Sequence, residues 1–360
     1  MPATTRDAWR ALAAASGDAG IFVGPGWFDA WWPSFGTPGT LAIVELARRG
    51  ETVGVFPCAV ARAGPSRLLC SLTNEHSFYF DFALAPAGRE ETIARFCGLL
   101  ASRAPRAAVR FDAFSRRSPT VSLLASLLRR RGFPVHQASV AWAPWIDVRG
   151  PWADFETALH SKLRNNLKKG RRRAEREGTL AFEVVRSGDA LQPALTEAFA
   201  VEHSSWKGGE GTSIQSDATV ERFYRRLAEW AASEGRFSLF ALRLNGRMIA
   251  FDYCLASGRT MFALKTGYEQ SLAARFSPGN LMRHELLRTL FADERFDRYD
   301  FLGPAYPWKL EWNARAEAKA ALTVYPRDVA GWWEYGSLYG WKTALKRALR
   351  LSGHRRWKYD

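Results

Sequence analysis

Residues 237–303 read FSLFALRLNGRMIAFDYCLASGRTMFALKTGYEQSLAARFSPGNLMRHELLRTLFADERFDRYDFLG, and this stretch decides the fold. Three apolar runs are separated by Asn245-Gly246-Arg247 and Ser257-Gly258-Arg259, residue types that accept positive φ in tight hairpins. A Ser277-Pro278-Gly279-Asn280 turn then opens a helix over 281–290, and a last strand ends at Asp300-Phe301-Leu302-Gly303. The order β-β-β-turn-α-β leads a Gly-containing turn into a helix N-terminus, where free backbone amides suit an anion. With a two-residue turn at Ser257-Gly258, Asp252 falls opposite Ala263 and Ala250 opposite Lys265. Asp252 and Lys265 then share one sheet face as diagonal neighbours. Such a pair marks either a ligand-facing surface or a structural ion pair.

Upstream, a long helix is expected from Asp154 as N-cap, with Phe155, Leu159, Leu163 and Leu167 recurring every four residues on its core side. Gly178 stops it, Leu180, Phe182 and Val184 alternate as a strand, and helices over 191–203 and 218–234 lead into the meander. The first half reads as a short helix at 6–15, the aromatic segment 26–32, and a hairpin of Leu41–Ala47 with Thr52–Val60. Strands at 67–72 and 78–84, a helix at 90–102, a strand at 107–114 and a helix at 121–131 follow, before strands at 135–140 and 145–148. Pro144 and Gly150-Pro151 break the pattern, which divides the chain into 1–150, 151–325 and a tail at 326–360. The two halves follow similar orders with no repeat at the level of residues.

The net charge of +15 is concentrated. Eight basic and two acidic residues lie between Ser161 and Gly178, and seven basic and two acidic between Gly331 and Asp360. Focused charge suits a polyanionic or phosphorylated partner, or simply a solvated helix face. The tail places Trp332, Trp333, Tyr335 and Trp341 among Lys342, Lys346, Arg347 and Arg350. That pattern fits either an anionic membrane surface or a helix packed on the body. Cys58, Cys70, Cys97 and Cys254 form no Cys-x-x-Cys pair and read as buried, reduced thiols, so neither zinc nor a disulfide framework is expected. No apolar run reaches the roughly 20 residues of a membrane span, and no leader is apparent. The expected location is cytoplasmic, with a peripheral position at the inner face of the membrane as an option. There is no nucleotide phosphate loop, Gly-x-Ser-x-Gly elbow, His-Glu-x-x-His helix or dinucleotide fingerprint.

Several side chains stand where chemistry would need them. His203 ends a helix ahead of the Gly208-Gly209-Glu210-Gly211 loop, a candidate base beside a closing segment. Trp206 and Lys207 follow it as candidate substrate contacts, with Lys309 downstream. Asp252 and Tyr268 are candidate catalytic groups, and Tyr306 is placed to protonate a leaving group. Glu269 is a further possible base. Lys265, Arg275, Ser277, Gly279 and Asn280 are the candidate phosphate and cofactor contacts, with Arg283 close by in sequence.

The blocks Ser161-x-x-Arg164-x-x-Leu167-x-x-Gly170-Arg171-Arg172, His203-Ser204-Ser205-Trp206-Lys207 and Gly246-Arg247-Met248-Ile249-Ala250-Phe251 resemble the CelD/BcsL-type proteins. Lys265-Thr266-Gly267-Tyr268-Glu269, Ser277-Pro278-Gly279, Tyr299-Asp300-Phe301-Leu302-Gly303 and Tyr306-x-x-Lys309-x-x-Trp312 continue the resemblance in order. Pro25-Gly26-Trp27-Phe28 and Gly54-Val55-Phe56-Pro57 extend it to most of residues 20–325. That family belongs to the GCN5-related N-acetyltransferase (GNAT) superfamily and is linked to cellulose and other exopolysaccharide production. The resemblance implies an α/β (α+β) chain of tandem GNAT-like domains, each a mixed, mostly antiparallel sheet flanked by helices. It also implies acyl transfer from acetyl-CoA or another acyl-CoA, a cosubstrate and not a bound cofactor, to an amine or saccharide acceptor. GNAT enzymes carry a Gln/Arg-x-x-Gly-x-Gly/Ala loop where this chain reads Arg275-Phe276-Ser277-Pro278-Gly279-Asn280. The plan is also similar to the Fem-type aminoacyltransferases, whose donor is aminoacyl-tRNA and whose RNA backbone the basic helix would suit. A non-catalytic scaffold at a membrane surface is the third reading.

Overall fold

The computed structural model describes residues 3–63, 66–103, 106–115 and 118–340. In the first half, β1 (Leu41–Arg48), β2 (Glu51–Ala63), β3 (Ser66–Ser71) and the short β4 (Ala83–Leu84) precede β5 (Ala108–Ser115) and β6 (Val135–Asp147). The second half holds β7 (Leu180–Val185), β8 (Phe237–Leu244), β9 (Arg247–Ser257), β10 (Thr260–Tyr268), β11 (Arg298–Asp300) and β12 (Arg315–Val324). All twelve join one mixed, mostly antiparallel sheet in the order β1-β2-β3-β5-β12-β6-β11-β10-β9-β8-β7, with β4 on β2. Helices flank it, so the α/β architecture expected from the sequence is present.

The halves exchange strands. β12 leaves the second half and lies between β5 and β6, while β6 of the first half pairs with β11 of the second. Each half also repeats one device, a meander followed by a helix and a strand that returns parallel. β5 pairs with β3, and β11 with β10, each over three residue pairs. One large core, including Trp9, Phe22, Trp27, Phe251, Tyr253 and Phe262, joins the N-terminal helices to both halves. A second, with Leu163, Leu167, Met282, Leu286, Tyr299 and Trp312, lies under the Ser161–Glu177 and Pro278–Phe291 helices.

Local chemistry explains most elements, and four expectations need correction. The single helix from Asp154 is two, Trp152–Ala158 and Ser161–Glu177. Pro151 is the N-cap of the first, and His160 caps the second, its Nδ1 accepting from Lys162 N at 3.2 Å. The expected strand at 78–84 shrinks to β4 and a single bridge from Phe80 to Phe114. Pro144 does not break β6 but sits inside it. Phe301 N donates to Pro144 O at 3.0 Å, and the missing N–H faces the place where β11 has just ended. Of the C-terminal tail, Val329–Tyr335 forms a helix, and residues 341–360 lie outside the described residues.

The fourth correction concerns register. Asn245 and Gly246 do adopt positive φ, 51° and 80°, in a two-residue turn. The next turn, however, closes on Ser257 and Thr260, and a β-bulge follows between Ala263 and Lys265. Asp252 therefore pairs with Thr266, and Lys265 with Tyr253. A bulge inserts one residue, and one residue moves every later side chain to the other face. Asp252 and Lys265 do not share a face.

Candidate active site

β10 and β11 pair through Thr260–Arg298, Met261–Tyr299 and Phe262–Asp300, and then part. From Ala263 to Tyr268, β10 keeps only β9 as a strand neighbour among the described residues. The bulge at Leu264 falls at this parting, where the extra residue of a bulge lacks its ladder partner. Beyond Asp300 the chain turns sharply away through two left-handed residues, Leu302 (φ 48°) and Gly303 (φ 57°). For a leucine this conformation costs about 1–3 kcal/mol. Asp300 helps hold it, its Oδ1 accepting from Leu302 N at 2.8 Å.

Lys309 secures the same corner from the other side. Its ammonium is buried and donates to Leu302 O at 2.7 Å and, more weakly, to Phe301 O at 3.5 Å. Residues directly opposite in such a ladder exchange two hydrogen bonds. Pro144 accepts one from Phe301 but has no N–H to return, which leaves the Phe301 carbonyl to Lys309. Tyr306, half exposed, lies with its ring 5.5 Å from the Lys309 ammonium.

On the helix side of the sheet, Asp252 is fully buried. It accepts from Arg283 at 3.1 Å and from the Tyr299 hydroxyl. Arg283 also donates to Thr266 Oγ1 at 3.1 Å and lies 4.6 Å over the Trp308 ring. This enclosed network ties the Pro278–Phe291 helix to β9, β10 and β11. Arg283 therefore points inward and is no phosphate contact at the turn.

At the far end of β10, Tyr268 lies against the Ser277–Asn280 turn, and a Cβ on Gly279 would meet its ring at 3.4 Å. Ser277 is left-handed (φ 51°), and its carbonyl accepts from Asn280 N and Leu281 N. Pro278 has no N–H, so Gly279 supplies the amide without a hydrogen-bond partner among the described residues. Arg275, exposed, pairs with Glu177 of the basic helix, and Arg173 of that helix donates to Arg275 O.

Lys265 occupies the opposite face, half-buried, 5.1 Å over the Tyr224 ring. His76, from the first half, meets Tyr224 OH at 3.3 Å. Burial, and then the Lys265 ammonium, push the His76 imidazolium down to about 4. The end of the Leu191–His203 helix covers this face, close enough that a Cβ on Gly267 would lie 3.2 Å from Glu202 Cα. Glu202 is buried and accepts from Ile214 N at 2.9 Å, whereas His203 is exposed and shares a 2.8 Å hydrogen bond with Ser213 Oγ. Trp206 and Lys207 begin a short helix, and their side chains lie outside the described residues. Glu269 is held by Arg247 at 2.6 Å and by Ser271.

The structure thus gathers Tyr268, Ser277, Gly279 and Asn280 at one end of the split, and Tyr306 with Lys309 at its corner. Lys265 and the His203 helix end share one face, and Asp252 is enclosed on the other. Sequence reading missed His76 and Glu202. A signal for Glu202 was present, since a buried acid beside His203 lies on the apolar side of its helix.

Residues 161–310 match the family model of an acetyltransferase (GNAT) domain. No curated protein matches the chain in sequence. Among solved structures, FemX aligns with a TM-score of 0.60 at 11% identity, over 89% of this chain and 96% of its own. A conserved protein of unknown function from Bacteroides thetaiotaomicron gives 0.57 at 10% identity, over 90% and 98%. The C-terminal domain of a putative lysylphosphatidylglycerol synthetase from Agrobacterium fabrum gives 0.53 at 12% identity, over 90% and 92%. At these identities the likeness concerns the fold, and its coverage extends over both halves.

Proposed function

We propose that this chain is an acyl-CoA-dependent N- or O-acyltransferase whose reaction centre is the split between β10 and β11. The observation that carries the reading is the parting of these two parallel strands after three residue pairs, beside a turn that opens a helix. The split admits an extended thioester arm. The Gly279 amide and the N-terminus of the Pro278–Phe291 helix receive the donor's phosphates, with Ser277, Asn280 and Arg275 beside them. A neutral acceptor amine or hydroxyl adds to the thioester carbonyl, the new bond to carbon forms, the acceptor's proton passes to His203, the C–S bond breaks, and the thiolate takes a proton. Lys309 offers its charge to the oxygen that gains it. Tyr306, whose hydroxyl has no hydrogen-bond partner among the described residues, supplies the proton. Lys265 and His203 face the acceptor, with Trp206 and Lys207 in the short helix that follows. Asp252 acts through Arg283 as a positioning residue.

The acceptor class, an amine or sugar in exopolysaccharide or cell-envelope synthesis, rests on the ordered CelD/BcsL-like sequence blocks. A Fem-like, aminoacyl-tRNA-dependent reaction is favoured by one observation. Lys162, Lys168, Lys169, Arg172 and Arg176 are exposed on one helix and unpaired among the described residues. A peripheral membrane position draws on Val329, Trp332 and Trp333, exposed at 87%, 51% and 79%. No helix among the described residues is long and apolar enough to cross a membrane.

Calorimetric titration with acetyl-CoA, longer acyl-CoAs and free CoA, with bulk tRNA as competitor, tests the donor. Saturable thioester binding indifferent to tRNA supports the proposal. Salt-sensitive tRNA binding without CoA binding replaces it with the Fem-like reaction. Anionic vesicles retained without any thioester turnover would leave the scaffold reading.

A further inference from the structure

β12 carries one lysine in an otherwise apolar run, Ala318-Lys319-Ala320-Ala321-Leu322. Lys319 sits in the middle of the sheet, opposite Ser115 of β5, and is 7% exposed. Its ammonium lies 4.3 Å over the ring of Tyr79, from the first-half loop that roofs this part of the sheet. It makes no hydrogen bond and no ion pair within 4 Å among the described residues.

The two carboxylates nearest in charge are already engaged. Asp300 accepts from Arg298 at 2.6 Å and from Leu302 N at 2.8 Å. Glu317 accepts from Ser115 Oγ at 2.7 Å and from Arg298 at 3.2 Å. Arg298 thus answers both acids, and Lys319 is left over. Burial holds its ammonium below the usual lysine range, with Asp300 and Glu317 opposing the shift and Arg298 adding to it. The ammonium is not fully enclosed, yet with so little exposure and no carboxylate to answer it an apolar side chain would pack there at less cost. Tyr79 does not relieve it by ionising, because burial keeps its phenol protonated.

Lys319 lies at the inner end of a row of charged side chains. Residues two apart on a strand share a face, so Arg315, Glu317 and Lys319 form one row running inward from the exposed Arg315. Arg315 to Lys319 spans about 13 Å. The roof also borders the split: a Cβ on Gly303 would lie 3.5 Å from the Phe78 ring and 3.6 Å from the Lys309 ammonium.

We propose that this seam between the halves is an anion subsite, in which Lys319 binds a carboxylate or phosphate group of the acceptor under the roof of Tyr79. That the anion belongs to the acceptor rests on the acyl-transfer reading; Lys319 and its neighbours carry the site itself.

The full chain and its Lys319→Met variant are compared by thermal unfolding with inorganic phosphate and with acetate, and by CoA titration. Phosphate or acetate should raise the wild-type midpoint, and the variant should lose at least two-thirds of that shift while binding CoA as before. The anion that gives the larger shift names the group. In parallel, wild-type protein is treated with cyanate, a small reagent for neutral amines, and mapped by mass spectrometry. Lys319 should react, and the effective anion should slow that reaction several-fold. Equal midpoint shifts in both proteins, or a Lys319 that cyanate never reaches or the anion never protects, would overturn the proposal. If the variant does not fold, the cyanate arm decides alone. Loss of CoA binding from the wild type, with anion protection intact, would remove the donor reading and leave the subsite standing.

Discussion

The two halves build the same device and finish it differently. In the first, β3 and β5 pair in parallel over Leu68–Ala108, Leu69–Val109 and Cys70–Arg110, and the chain after β3 then folds back. Phe80 bridges to Phe114 and closes the gap, inside a cluster with Phe56, Phe82, Phe96 and Phe111. In the second, β10 and β11 part after the same number of pairs, and no strand residue closes the gap among the described residues. Its corner holds Lys309, Tyr306 and a left-handed Leu302 in place of stacked rings. A filled split serves as core, whereas an open one retains strain and buried charge that packing alone would not favour.

The largest effect is expected in stability, where the filled split serves as core. Phe80→Ala should cost about 3–5 kcal/mol in urea unfolding and leave CoA affinity unchanged. Asp252→Asn removes one partner of a buried ion pair and should cost a similar ~3–5 kcal/mol. It should also weaken CoA binding, because Arg283 under Phe301 and Trp308 is released. If Phe80→Ala reduces CoA affinity as much as Asp252→Asn does, the division of labour between the halves is wrong.

Acid comes next. His76 joins the halves through Tyr224, and its folded value of about 4 lies below the ordinary 6.5. The unfolded chain therefore takes up this proton first, so the stability present above pH 6.5 should fall as pH drops toward 4, by at most about 3 kcal/mol. His76→Asn should flatten unfolding free energy across that window, and an unchanged slope would remove His76 as its cause.

Within the second half, Gly279→Val should weaken CoA binding about tenfold, or ~1.4 kcal/mol, with little change in melting temperature. The added methyls would press on Tyr268 beside the turn. Full affinity in a folded variant would show that the turn is not the donor site. The smallest effect is expected from Pro144→Ala, which returns an N–H opposite Phe301 and competes with Lys309 for its carbonyl. A fewfold loss of turnover with donor affinity intact is expected, and unaltered turnover would detach the proline from the reaction centre.

What the sequence disclosed was local. Asn245-Gly246 announces its turn because two successive left-handed positions tolerate few other residues. The Ser277-Pro278-Gly279 turn and the apolar faces of the long helices were readable for similar reasons. The bulge at Leu264 left no such mark, and it moved Lys265 away from Asp252. His160 as a helix cap was obscured by the four-residue stripe that runs through it. The network of Asp252, Arg283 and Tyr299 joins residues 47 positions apart, and no periodicity reports such a meeting. Lys319 went unread because no strand was expected over 315–324, and its isolation appears only once Arg298 is seen to occupy both neighbouring acids.

The exchanged strands set a timetable for synthesis. β12 completes the first half's ladder between β5 and β6, yet it begins at Arg315. While the ribosome makes the intervening residues, β5 and β6 wait with unpaired edges. At about 5–20 residues per second that interval lasts on the order of ten seconds or more. Such edges invite pairing with other chains. A truncation before residue 324 would therefore leave the first half unfinished, however remote the cut seems from it.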